Sequence, residues 1–482
     1  MRVAIVGAGI SGVVAGAHLG LAGLDATVFE RNDAAGGVWF YDARLPLEPS
    51  YPANRPSEGD SVPRRRNMQR KTSQNGLRED RVTEQLQHAP PGPCYEGLSN
   101  NVSTRLLELR LNSWKAGTAD FVNHRTLNEY IQETSRKTKV HERTVYNTRV
   151  EKISKKESFW QIQTSTISKD ERLDQRIERS WEFDAVVIAS GHYHACRIPE
   201  IPGLAKWKVH WPHRIQHSKS YRNPRSFRGQ NVLLVGSGVS STDIARELGP
   251  EAEEIYQVSR GGAFDLPASL LPPNATRIGE IASFENLAVE ADSLKDDSKY
   301  IPWRIFLRDG RELAKIHRII LCTGYHISLP FLKQYHSDDT PVYEANDTVL
   351  VTDGTQVHNL HKDIFYIPDP TLIFIGIPYY TATFTLFEFQ AMAAAAVLSN
   401  QAFLPFREVM RTEYQERVRK KGVGKSFHSL KDKEVEYVDE LVGWINGDRA
   451  TVGAKPLEGH TQAWHIANAD RLQKRRQMFE KT

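Results

Sequence analysis

The pattern of apolar positions predicts two strand–turn–helix units in this chain. In the first unit, an apolar run at 2–6 is followed by a glycine-rich turn and a second apolar run at 10–22. In the second unit, a predicted strand at 231–235, a glycine turn and a predicted helix at 242–248 repeat that order. Continuous apolar runs bounded by glycine turns are typical of strands buried on both faces of a parallel sheet.

Further segments predict the strands that complete each sheet. Predicted strands at 26–29 and 254–259 follow the two helices, and apolar strands at 184–191 and 319–325 each end in a turn that contains glycine. Strands that alternate with helices indicate the α/β class. At 482 residues, the chain is also long enough for more than one domain.

Two apolar stretches, 3–24 and 372–398, raise a membrane segment as an alternative. The first is crowded with glycine and has only Arg2 as a charged flank, which is unlike a signal peptide. The second is interrupted by a proline and two polar residues, which favours a core strand followed by a helix. We therefore expect no membrane anchor.

The first glycine turn has the residues of a dinucleotide-binding site, and it reads Gly7-Ala8-Gly9-Ile10-Ser11-Gly12. In such a turn, the first glycine makes the bend, the second admits a pyrophosphate and the third lets helix and strand pack closely. The phosphates then meet the helix N-terminus, which favours anions. Glu30 ends the next strand about twenty residues later, where a carboxylate binds ribose hydroxyls. Gly36-Gly37-Val38-Trp39 adds a second close backbone approach beside an aromatic ring.

The second glycine turn differs from the first at two informative positions, and with the next residue it reads Gly236-Ser237-Gly238-Val239-Ser240-Ser241-Thr242. Ser241 takes the place of the third glycine and is small enough for close packing. The following strand ends at Arg260 rather than at an acid. A carboxylate there would repel a 2′-phosphate, whereas a guanidinium offers it paired donors. The two units together predict FAD on the acid-ended unit and NADPH on the arginine-ended unit.

Charge and cysteine content exclude several other classes of protein. With 63 basic against 59 acidic residues, the chain has no excess of charge that would indicate a nucleic acid partner. A basic run at 64–71 lies among polar residues and is interpreted as a solvated loop. The three cysteines, Cys94, Cys196 and Cys322, form no CxxC pair, so neither a disulfide reductase nor a zinc site is expected. Three reduced thiols suit the cytoplasm.

Several motifs along the chain resemble those of the flavin-containing monooxygenase family, and in particular its fungal-type members. Residues 36–39 look like the family's GGxW, and the segment 95–101, which ends in Asn100-Asn101, is similar to its YxxLxTN. Thr323-Gly324-Tyr325 resembles the family's TGY turn. The segments 374–378 and 388–390, the latter ending in Gln390, look like those that pack against flavin in relatives.

The resemblance implies a monooxygenase that uses FAD, NADPH and O2 to oxygenate a small molecule. In this family NADPH reduces the flavin, dioxygen adds at its C4a atom, and the hydroperoxide attacks a nucleophile. An asparagine amide suits such a site because it donates hydrogen bonds without releasing a proton at neutral pH. Asn101 is the predicted catalytic residue, with Asn100 beside it. The alternative is that either asparagine caps a helix that starts near Val102.

The family's identifying stretch, FxGxxxHxxxY, maps onto residues 211–221 with two departures. Trp211 replaces phenylalanine and His213 replaces glycine, which questions the local backbone turn. Tyr221 at its end resembles the N- and S-oxygenating branch, whereas Baeyer–Villiger enzymes have tryptophan there. His217 either positions NADPH or satisfies the linker between domains, and the sequence does not choose between them.

We predict two Rossmann-like domains, with the NADPH domain inserted into a discontinuous FAD domain. The FAD domain comprises 1–200 and 326–482 with C-terminal helices, the NADPH domain comprises 201–325, and 42–93 is a long loop excursion that covers the substrate entrance. A homodimer is compatible with the sequence. The alternatives are a Baeyer–Villiger monooxygenase and a non-catalytic flavoprotein that senses redox state.

Overall fold

The computed structural model describes residues 1–60, 74–167, 176–285 and 299–480. The helices are α1 (Ile10–Leu21), α2 (Gln74–His88), α3 (Thr104–Leu107), α4 (His124–Lys137), α5 (Leu204–His210), α6 (Val239–Leu248), α7 (Thr383–Leu398), α8 (Arg407–Lys421), α9 (Glu434–Thr451) and α10 (Gln462–Glu480). The strands are β1 (Arg2–Val6), β2 (Asp25–Phe29), β3 (Thr144–Val145), β4 (Thr148–Lys155), β5 (Trp160–Ile167), β6 (Arg176–Phe183), β7 (Ala185–Ile188), β8 (Ala195–Cys196), β9 (Ile215–His217), β10 (Asn231–Val235), β11 (Glu254–Val258), β12 (Ala275–Ile278), β13 (Ile281–Phe284), β14 (Ile305–Leu307), β15 (Glu312–Leu313), β16 (Arg318–Leu321), β17 (Tyr325–His326), β18 (Leu360–His361), β19 (Phe365–Tyr366) and β20 (Leu372–Phe374).

The larger sheet has seven strands in the order β18-β19-β20-β7-β1-β2-β3. Strand β1 runs parallel to both β2 and β7, and β7 runs parallel to β20. Helix α1 packs against α7, and both belong to one apolar core beneath the sheet. The sheet therefore combines strands from the start of the chain with strands from beyond residue 359.

The second large sheet has five parallel strands in the order β12-β11-β10-β16-β9. All of its strands come from residues 215–321, between the two parts of the first sheet. Strands β8 and β17 form a short antiparallel pair where the chain passes from one lobe to the other. The predicted α/β class, with one Rossmann-like lobe inserted into another, is thus present in the structure.

The predicted elements are present, with shifts at their ends. Helix α6 begins at Val239 and not at Thr242, because Gly238 is already its N-cap and no further turn residue intervenes. The stretch 372–398 forms β20 and α7, as predicted. Within the described ranges, none of the helices combines the length and apolar character that a membrane crossing requires.

The excursion 42–93 is not entirely a loop, since it contains α2 and a short 3-10 turn at Pro56–Glu58. In α2, Leu86 is half-buried and His88 is buried, whereas Arg81, Val82, Glu84 and Gln85 are exposed, so the helix packs at its C-terminal end. The basic run at 64–71, predicted to be a solvated loop, lies outside the described residues.

Candidate active site

The first glycine turn is tightly packed, and the packing explains why glycine is needed. Gly7 has φ +101°, a conformation that L side chains rarely adopt. A Cβ atom on Gly12 would lie 1.8 Å from the carbonyl oxygen of Gly7. A Cβ atom on Gly37 would lie 2.8 Å from the Cα of Gly9, so the turn and the 36–39 segment are in backbone contact. Val38 and Trp39 follow in a short 3-10 turn and are half-buried.

Glu30 ends β2 and holds the first glycine turn in place. Its carboxylate accepts a hydrogen bond of 2.7 Å from the Ala8 N–H and one of 2.8 Å from the Asn32 N–H. Burial raises the pKa of the Glu30 carboxyl, although both N–H donors act against that rise. Because a carboxylate has about four lone-pair positions, Glu30 can still accept a hydrogen bond from a ribose hydroxyl. Ala8 is fully buried, so its contribution to the turn is its main chain.

The N-terminus of α1 is available to an anion. Gly9 is its N-cap, no side chain caps it, and the first turn contains no acidic residue. The first N–H groups of a helix have no acceptor within the helix, so those of Ile10 and Ser11 can face a pyrophosphate. The side chain of Ser11 packs against Gly376, where a Cβ atom would lie 2.4 Å from the Ser11 hydroxyl oxygen.

The second glycine turn shares this backbone geometry but opens more widely. Gly236 has φ +118°, and a Cβ atom there would lie 2.5 Å from the carbonyl oxygen of Cys322. Gly238 is the N-cap of α6, and its nearest neighbour for a Cβ atom is 3.9 Å away. Ser240 in the first turn of α6 is exposed, whereas Ser237 is buried. This opening suits a cofactor that binds and leaves in each cycle.

Ser241 and Thr242 face the sheet. Ser241 is fully buried, and its hydroxyl oxygen accepts a hydrogen bond of 3.0 Å from the Gln257 amide on β11. The Thr242 hydroxyl accepts from the same amide at 3.3 Å. In place of the close glycine packing of the first unit, α6 and β11 are joined by polar contacts. Both residues were predicted to contact the cofactor, but their hydroxyl groups are used for this packing.

Arg260 follows β11 on a turn that is held by Asp265. The Asp265 carboxylate accepts hydrogen bonds from the Ser259 hydroxyl at 2.5 Å and from the Gly262 N–H at 3.1 Å. Gly261 between them has φ +71° and open space where a Cβ atom would be. The Arg260 side chain is exposed, so its guanidinium is accessible to a phosphate.

Asn100 and Asn101 have different environments. The buried Asn100 amide donates to the carbonyl oxygens of Val102 and Asp120 and accepts from the Val122 N–H, at 2.6–2.9 Å. Asn101 is exposed and has no side-chain hydrogen bond within the described part of the chain. The expectation that either residue caps a helix near Val102 is wrong, because α3 begins at Thr104 and is capped by the Ser103 hydroxyl.

A cluster of two tyrosines and two carboxylates joins the Asn101 segment to helix α6, and we call it the tyrosine–carboxylate cluster. The Tyr95 hydroxyl donates to Asp243, and the Tyr221 hydroxyl donates to Glu247 at 2.8 Å. The two tyrosine rings meet edge to face, with centroids 5.4 Å apart. A Cβ atom on Gly97 would lie 1.7 Å from a Glu247 oxygen, so the two lobes are in close contact here. Asp243 and Glu247 were not predicted as part of the site, whereas Gly97 lies within the 95–101 motif.

The linker motif resolves the two interpretations of His217. Its Nδ1 accepts from the Lys219 N–H at 3.1 Å, so its Nε2–H donates to the Gly324 carbonyl oxygen at 3.0 Å. Burial lowers the pKa of His217 to about 3, and the ring is therefore neutral. With both nitrogens used by the main chain, His217 satisfies the linker.

The residues around His217 complete the crossing between the lobes. The Gly324 carbonyl also accepts from the Arg197 N–H at 3.0 Å, and the Thr323 hydroxyl donates to the Arg197 carbonyl. Tyr325 pairs with β8, and its ring meets His217 edge to face. His213 is exposed and does not have positive φ, so no glycine is required at that position.

Gln390 is wholly buried between two protein partners. Its amide oxygen accepts from the Gly376 N–H at 3.0 Å, and its amide nitrogen donates to the Tyr437 hydroxyl at 3.0 Å. Gly376 has φ +97° and lies against Ser11 of the first glycine turn. Gln390 therefore touches the first glycine turn only indirectly, through the main chain of Gly376.

A buried ion cluster fixes Asp60, within the 42–93 excursion, to the linker. Asp60 pairs with Arg31 at 2.9 Å and lies 3.9 Å from the Lys219 ammonium. Burial by itself would raise the pKa of the Asp60 carboxyl, but Arg31 and Lys219 hold it below its ordinary value. Arg31 directly follows Glu30, so this cluster connects the predicted ribose site with the linker. It also was not predicted.

The three cysteines are not joined by disulfide bonds. All are free thiols, and burial raises their pKa values to between about 11 and about 12. A thiol with so high a pKa is a poor nucleophile at neutral pH.

The described residues fit two dinucleotides of different kinds. The first turn offers a bare helix N-terminus and a carboxylate, which matches the pyrophosphate and ribose of FAD. The second offers another bare helix N-terminus and an exposed guanidinium, which matches NADPH. Cβ atoms at Gly238, Gly261 and Gly324 would meet almost nothing, so the second cleft has room for a ligand.

Comparison with known proteins agrees with this geometry. Residues 95–269 match the profile of the flavin-binding monooxygenase-like family, and residues 5–57 match that of the NAD(P)-binding Rossmann-like domain. The chain is 46% identical over 500 residues to the flavin-containing monooxygenase ustF2 of Aspergillus flavus, covering 100% of this chain and 99% of that one. It is 41% identical over 468 residues to ustF1 of the same fungus, covering 97% and 88%.

The fold is also similar to a solved structure, that of S-allyl-L-cysteine S-oxygenase from Allium sativum. The TM-score is 0.69 at 23% identity, and the match covers 99% of this chain and 93% of the other. Since sequence identity to the fungal relatives extends along the whole chain, this protein belongs to the flavin-containing monooxygenase family and is a flavin-dependent monooxygenase that uses FAD and NADPH.

Proposed function

We propose that the protein oxygenates a nucleophilic nitrogen or sulfur atom of a small molecule in a fungal secondary-metabolite pathway. The identity with Aspergillus flavus relatives supports the fungal setting. Tyr221 supports an N- or S-oxygenating enzyme, because it occupies the linker position where Baeyer–Villiger enzymes carry tryptophan. Its hydroxyl donates a hydrogen bond to Glu247 of α6.

The observation that carries the proposal is the exposed Asn101 amide on a fixed loop. Asn100 anchors the loop on one side through its buried amide, and Ser103 caps α3 on the other. Tyr95, a few residues earlier, contacts α6 of the NADPH lobe. A donor held in this way remains available for a reacting oxygen atom and has no proton to release at neutral pH.

Each of the site residues has a distinct task in this proposal. Bound FAD would be reduced by NADPH and would then supply the reactivity toward dioxygen. Glu30 and the N-terminus of α1 hold the FAD ribose and phosphates, while Arg260 and the N-terminus of α6 hold NADPH. Asn101 donates a hydrogen bond toward the reacting oxygen and does not protonate it.

The test is a product assay with the FAD-loaded enzyme, NADPH and air. A primary amine, a thioether and a cyclic ketone are supplied in turn, and products are identified by mass spectrometry. A gain of one oxygen by the amine or thioether supports the proposal. Conversion of the ketone alone to an ester indicates a Baeyer–Villiger enzyme instead.

The same preparation separates an oxygenase from a redox sensor. The enzyme is mixed anaerobically with NADPH, and air is then admitted. In an oxygenase, the flavin absorbance is lost quickly when NADPH is added. Once air is admitted, oxygen is consumed in proportion to the product formed. Slow bleaching with no oxygenated product from any substrate contradicts the proposal.

We further propose that the lobes comprise 1–200 with 326–482 and 201–325, that the protein is cytoplasmic, and that it forms a homodimer. The excursion 42–93 is proposed to cover the substrate entrance, since it is anchored to the linker through Asp60. A proteolytic nick in this segment should alter substrate turnover while FAD is retained; unchanged kinetics would contradict the role.

A further inference from the structure

Three exposed cations from three separate segments lie near the turn that bears Arg260. Arg197 comes from the linker, Arg260 from the end of β11, and Lys425 from the connection between α8 and α9. In the described part of the chain, none of the three forms an ion pair with a carboxylate. Exposed like charges near one another repel weakly in water, and an anion bound between them removes that repulsion.

Lys425 is held against the Arg260 turn by aromatic packing. Its ammonium lies 4.3 Å from the centroid of the Phe264 ring, four residues after Arg260. Phe264 in turn stacks on Tyr380, with ring centroids 6.0 Å apart and planes 1° from parallel. These contacts join the C-terminal part of the chain to the NADPH lobe.

The charge balance at this place favours an anionic ligand. Partial burial lowers the pKa of the Lys425 ammonium, and repulsion from Arg197 and Arg260 adds to that effect. A nearby carboxylate, that of Asp265, opposes this repulsion, but it already accepts hydrogen bonds from Ser259 and Gly262.

We propose that Lys425 is a second ligand for the 2′-phosphate of NADPH, beside Arg260 and supported by the charge of Arg197. The inference rests on the assignment of Arg260 to that phosphate in the proposed function. A phosphate dianion suits one planar guanidinium and one compact ammonium. Because Lys425 lies outside the NADPH lobe, the phosphate would bind both lobes at once, and NADPH would be distinguished from NADH across their interface.

The test measures binding of two fragments to the FAD-loaded enzyme by calorimetry. Adenosine 2′,5′-bisphosphate carries the phosphate in question, and 5′-AMP lacks it. Lys425→Met keeps the aliphatic stem on Phe264 and removes the charge, and it should weaken binding of the bisphosphate about tenfold. Binding of 5′-AMP should change by less than about twofold, and Lys425→Arg should restore most of the affinity.

Lys420→Met is the matched control, because Lys420 is an exposed lysine in the last turn of α8 and its loss changes the net charge equally. It should leave both affinities unchanged. If Lys425→Met behaves like this control, or weakens both fragments equally, the inference is wrong. Arg260→Met distinguishes failure of the Lys425 inference from failure of the Arg260 assignment. If Arg260→Met weakens binding of the bisphosphate while Lys425→Met does not, only the Lys425 role fails. If Arg260→Met has no effect, the assignment of Arg260 fails as well.

Discussion

At the scale of single residues, Asn100 and Asn101 show how neighbours of one type acquire different tasks. The Asn100 amide makes three hydrogen bonds to the main chain, whereas the Asn101 amide lies at the surface. A buried amide left without partners costs about 1–3 kcal/mol, so Asn100 is tied to the stability of the loop. Asn101 has no such structural duty and is available to the reaction.

Asn101→Ala should therefore keep FAD bound but separate NADPH oxidation from product formation. Loss of one well-placed donor, worth about 2 kcal/mol, lowers product formation about thirtyfold. Hydrogen peroxide released per NADPH, measured beside product, should rise correspondingly. Full coupling in this variant would contradict the role of Asn101.

Asn100→Ala is the matched comparison. It removes the three buried hydrogen bonds and should lower the thermal midpoint, since about 2 kcal/mol of stability is lost. Asn101→Ala should leave the midpoint nearly unchanged. A larger loss of stability at Asn101 than at Asn100 would reverse the assignment of the two residues.

At the scale of elements, the two glycine turns share a motif but differ in the space around them. The first is closed at Gly9, where a Cβ atom would lie 3.3 Å from the Gly37 Cα. The second is open at Gly238, which also has φ −83° and needs no left-handed conformation. The difference suits a resident flavin in one lobe and an exchanging nicotinamide cofactor in the other.

This contrast predicts different outcomes for two alanine variants. Gly12→Ala should abolish FAD binding and lower the thermal midpoint, because the helix and strand must separate. Gly238→Ala should fold normally and retain FAD, but its methyl group occupies the open cleft, so the KM for NADPH rises about tenfold. Flavin absorbance per protein and steady-state kinetics distinguish the two. Equal FAD loss in both variants would contradict the interpretation.

The tyrosine–carboxylate cluster is the element-scale contact between the Asn101 segment and α6. Tyr95→Phe removes the donor to Asp243 and leaves that carboxylate without its partner, at a cost of about 1–3 kcal/mol. We expect a higher KM for NADPH and more peroxide per NADPH, with FAD content unchanged. Together these effects would show that α6 positions the Asn101 segment.

Tyr256→Phe is the control for that variant. Its hydroxyl also donates to a carboxylate, that of Glu254 at 2.5 Å, but both residues lie on β11 within one lobe. It should change neither coupling nor the KM for NADPH. If both phenylalanine variants uncouple equally, the contact between the lobes is not the cause.

At the scale of the whole molecule, buried neutral histidines make the fold sensitive to acid. Burial lowers the pKa of seven of them to about 3 or about 4, namely His88, His192, His194, His217, His358, His361 and His460. Between these values and the ordinary 6.5, the unfolded chain binds protons that the folded chain does not. The free energy of unfolding therefore decreases as the pH falls below about 6.5.

The thermal midpoint should thus fall steadily from pH 7.0 to pH 5.0, before carboxylates are protonated. Each such histidine contributes up to about 1.4 kcal/mol per pH unit. In His217→Asn, the unfolded chain has one proton site fewer, so the free energy of unfolding should depend less steeply on pH. Parallel curves for this variant and the unaltered protein would show that His217 is not neutral when folded.

The sequence by itself determined the fold class, the two glycine turns and the pairing of Glu30 with one and Arg260 with the other. These features depend on local spacing along a strand, a turn and a helix, so residue order is enough to predict them. It also determined Tyr221 and Asn101 as positions of interest, through motifs that resemble those of the family.

Only the tertiary structure decided which asparagine is exposed and that the Ser241 hydroxyl faces the sheet. It also decided which main-chain groups hydrogen-bond to the two ring nitrogens of His217. It also brought Tyr95 to Asp243 and Lys425 to Phe264, pairs that are far apart in the chain. Such contacts depend on how the two lobes pack against each other. Apolar periodicity and motif spacing describe each element separately and contain no information on that packing.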